Sequence, residues 1–119
     1  MGLPDRQYID AGSVRISYRQ AGAGPDLVLL HGLAGNARTW ESQFDAFVDK
    51  FRITAWDAPG YGESDLVSTE IEVYANTLVA FTTSLWIERF ILLGHSMGGI
   101  VAGNVAGRFP ERVRGLILS

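Results

Sequence analysis

Alternating strand-like and helix-like segments predict an α/β fold, a mostly parallel sheet with flanking helices. Two observations carry that expectation. Short, largely apolar runs at Leu27-Val28-Leu29-Leu30, Ile53 to Trp56 and Phe90-Ile91-Leu92-Leu93 have the unbroken character of strands buried on both faces. Between them, apolar residues recur at steps of three and four, which is the spacing of one helical face.

Taken in order, residues 7 to 10 and 13 to 20 read as a hairpin. Val14, Ile16 and Tyr18 alternate with polar neighbours, and Ala11-Gly12 supplies the turn. Ala21-Gly22-Ala23-Gly24-Pro25 breaks the pattern before the first central strand, Leu27 to Leu30. Trp40, Phe44, Phe47 and Phe51 then predict one buried helical face between Asn36 and Lys50. After the strand at Ile53, helical spacing returns at Ile71, Tyr74, Leu78, Phe81 and Leu85. Ser68 is the expected cap there, and Glu70 and Glu72 suit the positive end of the helix dipole. A helix from near Ser96 is expected to turn Ile100, Val101, Val105 and Phe109 inward and to stop before Pro110. Gly115-Leu116-Ile117-Leu118-Ser119 is again strand-like. No internal repeat or linker interrupts the series, so residues 1–119 are expected to form a single domain.

Composition narrows the function classes. A 119-residue chain with 47% hydrophobic and 19% charged residues has the material for a packed core. A net charge of −3 and a pI near 5.2 leave no basic field to hold phosphates, which argues against a nucleic-acid partner. With no cysteine and two histidines, neither a disulfide framework nor a thiolate or histidine-rich metal centre is expected. The opening MGLPDRQYID lacks a basic stretch followed by an apolar one. Arg6 stands where an N-myristoylation motif needs Ser or Thr, and no run approaches the ~18 apolar residues of a membrane span. The expectation is a cytoplasmic protein without a membrane partner.

Three segments carry chemistry. Gly94-His95-Ser96-Met97-Gly98-Gly99, set between a strand and a helix, fits the nucleophile elbow G-x-S-x-G. Glycines at 94 and 98 suit a turn too tight for side chains on either side of the serine. Ser96 is then presented at a helix N-terminus, where N–H groups favour developing negative charge. The plainer alternative is that Ser96 only caps the helix. His31-Gly32-Leu33 follows the first central strand directly, and Trp56-Asp57-Ala58-Pro59-Gly60-Tyr61-Gly62-Glu63-Ser64 follows the next. Asp57 ends a strand on the side where open α/β sheets bind ligands, although Asp and Gly also build turns on their own account.

Together these motifs resemble the N-terminal half of a serine-nucleophile α/β-hydrolase of the esterase and lactonase type. They run in family order over residues 27 to 103, and the hairpin and helices extend the likeness over practically the whole chain. The wording is closest to small-ester, enol-lactone and carbon–carbon bond hydrolases. Serine at 96 separates it from the dehalogenase and epoxide hydrolase branches. The resemblance implies Ser96 as nucleophile and the backbone N–H groups of Leu33 and Met97 as the oxyanion hole, with no cofactor. Loss of one such donor typically costs about 2.7 to 4 kcal/mol of barrier.

In this family the triad acid and histidine follow the serine. Downstream of Ser96 the chain holds only Glu111 as a carboxylate and no histidine. The expectation is therefore a truncated core ending at the strand after the nucleophile helix. His95 is a poor base, because neighbouring side chains point apart in a tight elbow. His31 is the better surrogate base, although a structural imidazole that fixes its loop is the other role open to it. Without a full triad, roughly 10³ to 10⁴-fold acceleration over water can survive, enough for short-chain activated esters and too little for amides.

Three functions follow: a minimal carboxylic ester hydrolase acting on a small-molecule ester, an inactive half-domain that self-associates or needs a complementary C-terminal half, and a small-ligand binding module. The apolar run Leu116-Ile117-Leu118 is expected to lie at a sheet edge and to drive a homodimer or higher homo-oligomer by strand addition. Trp40, Trp56 and Trp86 are read as core residues, and Arg108, Glu111, Arg112 and Arg114 as a solvated face.

Overall fold

A computed structural model describes residues 2–119. Six strands make one sheet: β1 Arg6–Ala11, β2 Val14–Ala21, β3 Asp26–Leu30, β4 Arg52–Trp56, β5 Phe90–Gly94 and β6 Val113–Leu118. Their order across the sheet is β1-β2-β4-β3-β5-β6. The β1–β2 hairpin closes at Gly12 and Ser13, and β2 runs antiparallel to β4. From β4 through β3 and β5 to β6 every pairing is parallel, so the predicted architecture is the observed one.

The apolar runs are continuous because both sheet faces are covered where they lie. Val28, Leu30, Trp56, Phe90 and Leu92 enter one cluster with Tyr74, Leu78 and Phe81 of helix α2 (Ile71–Ser84) and Val101 and Val105 of helix α3 (Met97–Arg108). Their strand neighbours Leu27, Leu29, Ile53 and Ala55 join Trp40 and Phe44 on the opposite face. Each fully buried large apolar side chain contributes about 1.5–3 kcal/mol.

The helix expected over 36–50 is shorter and tighter. Asn36 and Thr39 form a capping box around a 3-10 turn, Ala37–Trp40, and only Glu41–Phe47 is α-helical (α1). The Asp57 carboxylate takes the Ala37 N–H at 2.8 Å and anchors that turn. Trp40 and Phe44 are buried as expected, but Phe47 is exposed. It borders a groove of about 200 Å³ with Leu27, Phe51, Ile91, Leu93 and Ile117, on the sheet face that α2 and α3 do not cover.

Other expectations shift by a residue or a role. Ile100 faces outward, since the register of α3 buries Val101, Ala102 and Val105 instead. Ser68 accepts a 3.3 Å bond from the Glu70 N–H, while Glu70 is the cap residue of α2 and caps without a side-chain bond. Trp40 and Trp56 are core residues, but Trp86 is 88% exposed. It sits at φ 61° just beyond α2. There its N–H reaches the Thr83 carbonyl and the next N–H, of Ile87, reaches that of Thr82, the pattern of a helix-ending left-handed residue. Arg112 is half-buried and hydrogen-bonded rather than freely solvated. Its guanidinium donates to the carbonyls of Ile87 (2.7 Å) and Glu88 (2.5 Å) and to the hydroxyls of Thr82 and Thr83, tying the C-terminal end of α2 to the start of β6.

Strand β6 is the sheet edge beside β5, with Leu116, Ile117 and Leu118 all exposed. No helix among the described residues is long and apolar enough to cross a membrane.

Candidate active site

Parallel pairing of β5 with β3 brings Gly94 opposite Leu30, and the next N–H, of His95, continues the ladder to the Leu30 carbonyl at 3.0 Å. The chain then reverses into α3 through Ser96, at φ 56° and ψ −121°. A non-glycine residue in such a region is strained by about 1–3 kcal/mol, and strain of this kind gathers at functional sites. Ser96 is exposed and makes no side-chain cap bond to α3, so helix capping does not account for it.

The reversal is possible because of its glycines. A Cβ on Gly94 would strike the Gly98 carbonyl, and one on Gly98 would strike the carbonyls of Leu30 and His31. The His31-Gly32-Leu33 loop comes equally close, since a Cβ on Gly32 would lie 2.9 Å from the Ser96 Cβ. The expected oxyanion donors therefore sit on two loops in contact at the serine. Neither the Leu33 nor the Met97 N–H donates to a partner among the described residues. The Leu33 side chain is 75% exposed beside them.

His31 is brought near the elbow but not to the Ser96 hydroxyl. It is fully buried, its Nε2 accepts the Ala58 N–H at 2.9 Å, and its Nδ1 lies 2.9 Å from the Gly32 carbonyl. With Nε2 accepting, the proton belongs on Nδ1, so the ring is a neutral imidazole with both nitrogens committed to backbone. Burial pushes its pKa below the ordinary 6.5, partly opposed by the Gly32 carbonyl and the Asp57 charge. Of the two roles open to His31, this geometry is that of the structural imidazole; a surrogate base needs a free nitrogen. His95 is exposed, with Nδ1 3.3 Å from the Ser119 hydroxyl.

Asp57 is a structural hub. Its carboxylate accepts from Ala37 N–H and, at 2.5 Å, from the Ser17 hydroxyl, while its carbonyl accepts from the Ser64 hydroxyl at 2.6 Å. The Ser17 hydroxyl in turn accepts the Glu63 N–H, and Gly62 leaves no room for a Cβ against the Asp57 carboxyl. Sequence reasoning did not single out Ser17 or Tyr61. Tyr61 stands edge-on to His31, centroids 5.0 Å apart, and its hydroxyl lies 4.0 Å from the Met97 sulfur. Ser17 read as an ordinary polar strand residue, and nothing local marks a partner forty positions away.

A cavity of about 660 Å³ lies between the end of α2 and the start of β6, with Thr83, Trp86, Ile87, Glu88, Glu111 and Arg112 among its lining. These residues precede β5 and β6, whereas Ser96 follows β5, so cavity size does not mark the elbow. No group of three or more acidic or histidine side chains that could hold a metal ion occurs among the described residues.

The family model described as alpha/beta hydrolase fold matches residues 25–119. An uncharacterised protein of Mycobacterium tuberculosis is 37% identical over 117 residues, 97% of this chain and 34% of that protein. The pimeloyl-[acyl-carrier protein] methyl ester esterase of Aeromonas hydrophila is 38% identical over 102 residues, 86% of this chain and 40% of that protein. Among solved structures, a bacterial membrane phospholipase A described as a virulence factor superposes with a TM-score of 0.93 at 29% identity, over 98% of this chain and 39% of that one. The chain thus spans about a third of the length of the first curated relatives it matches.

Proposed function

The chain belongs to the α/β-hydrolase fold family, and on that premise we propose that it carries the nucleophile portion of a serine carboxylic ester hydrolase acting on small, short-chain activated esters. The observation that carries this reading is Ser96 itself, exposed, uncapped and held at positive φ between glycines that have no room for a side chain. A backbone conformation that costs stability and makes no cap is what a presented nucleophile requires.

In this mechanism the Ser96 Oγ attacks the ester carbonyl and gives up its proton to a histidine. The carbonyl oxygen becomes an oxyanion and accepts hydrogen bonds from the Leu33 and Met97 N–H groups at the positive end of α3. Collapse expels the alcohol, which takes the proton, and leaves an acyl-serine. Water then attacks the acyl carbon by the same route and releases the acid. His31 is committed to its loop, so the histidine and its acid are assigned outside the described residues, as the family order implies. No cofactor enters these steps. The similar Aeromonas protein, named as a methyl ester esterase, supports an ester as the substrate class.

A second reading is favoured by the bare β6 edge and the groove beside Ile117: a half-domain that acts only when complemented, by a C-terminal half or by another copy adding a strand to β6. Hydrolysis of p-nitrophenyl acetate by the chain and by Ser96→Ala, purified identically, tests the first reading. A wild-type rate above that of Ser96→Ala supports a working nucleophile, because the roughly 10³ to 10⁴-fold over water that the oxyanion hole and binding supply without a triad is common to both proteins. Equal rates sink it, and activity appearing only on adding the missing half supports the second.

A further inference from the structure

The two expected oxyanion donors sit on different loops, Leu33 after β3 and Met97 at the start of α3. Their separation must be fixed to a few tenths of an ångström for both to reach one oxygen. Backbone ties the loops at one point, the His95 N–H to the Leu30 carbonyl. The side chains add one bridge. Tyr61 lays its ring edge-on against His31, at 5.0 Å and 64°, and directs its hydroxyl to the Met97 sulfur at 4.0 Å. His31 is tied a second time to the same segment, through the Ala58 N–H on its Nε2.

The segment that presents Tyr61 is itself braced. Its N–H reaches the Ala58 carbonyl at 2.8 Å, and its own carbonyl accepts from the Ser64 N–H at 2.9 Å. Gly60 and Gly62 flank it at φ 85° and 52°. The Asp57 carboxylate at the base of this turn also holds the Ala37 N–H, at the far end of the Leu33 loop. A rigid aromatic ring on such a support is suited to holding neighbours in place, and Met97, a flexible thioether, is otherwise easily displaced.

We infer that Tyr61 is a positioning residue for the reaction at Ser96, setting the spacing of the Leu33 and Met97 N–H groups by bridging His31 and Met97. This rests on the reading that those groups hold the oxyanion. Tyr61 acts through the loops and needs no contact with substrate.

The test compares the wild-type chain with Tyr61→Phe, which keeps the ring, and Tyr61→Ala, which removes the bridge. Turnover of p-nitrophenyl acetate is normalised to the Ser96 titrated by a fluorophosphonate probe. Tyr61→Ala is expected to lower kcat per titrated site about tenfold with KM within about twofold, while Tyr61→Phe stays within about threefold of wild type. A fall in melting temperature and in titratable sites with kcat per site unchanged overturns the proposal, since it signals a merely structural ring. The bridge itself is read by NMR without activity: Met97 is one of two methionines and His31 one of two histidines, so both resonances are assignable. Tyr61→Phe is expected to move the Met97 methyl and spare the His31 ring nitrogens, and Tyr61→Ala to move both. If the wild type shows no turnover on its own, these shifts alone decide the bridge. Resonances that stay in place in Tyr61→Ala overturn it.

Discussion

At Ser96 the backbone sits at φ 56° and ψ −121°, a conformation that glycine adopts without the penalty of a Cβ. Ser96→Gly is therefore expected to raise stability by about 1 kcal/mol in urea melts, while Ser96→Ala, which keeps the Cβ, gives no gain. Both remove the Ser96 hydroxyl, so the pair separates strain from chemistry. His31 makes the second prediction. Its folded pKa is lowered below 6.5 by burial, so the folded state binds fewer protons there than the unfolded chain does. That contribution is fully present above pH 6.5 and is lost as pH falls from 6.5 through the lowered folded value. Melting temperatures should drop from pH 7.5 to pH 5, and less steeply in His31→Gln; parallel profiles would count against it. The elbow was legible in the sequence because glycine, serine and glycine act on one another within five residues. The commitment of both His31 nitrogens was not, because the Ala58 N–H lies 27 positions away.

Among the elements, the central strands β3, β4 and β5 and helix α2 followed from periodicity, because each is covered in the way its pattern requires. Where a partner lay far along the chain, the pattern misled. Phe47 continues the spacing of Trp40 and Phe44, yet stays exposed because α1 ends there, at the border of the groove along Ile91, Leu93 and Ile117. Arg112 looked like one more cation near a helix end, but its planar fork is spent on the carbonyls and hydroxyls that close α2. Lysine cannot reproduce that fork. Arg112→Lys is expected to cost about 1–3 kcal/mol, measured by urea unfolding, whereas Arg114→Lys on the exposed strand stays within about 0.5 kcal/mol.

For the whole molecule, the sheet is buried along β3 and β4 and open along β6, where Leu116, Ile117 and Leu118 face solvent. A bare apolar edge recruits a strand, so the chain is expected to associate with itself at micromolar concentration in light scattering. Ile117→Lys, which places a charge in the groove beside Phe47 and Leu93, should reduce that association. A monomeric wild type would contradict the expectation. The same edge reaches the elbow, for the Ser96 N–H donates to the Ser119 carbonyl at 3.2 Å and the Ser119 N–H to the Gly94 carbonyl at 2.9 Å. The amide of Ser96 is thus a rung shared with the end of β6. Its deuterium uptake would clock how often β6 peels from β5, and a strand added along the far side of β6 should slow that clock at Ser96 without touching it.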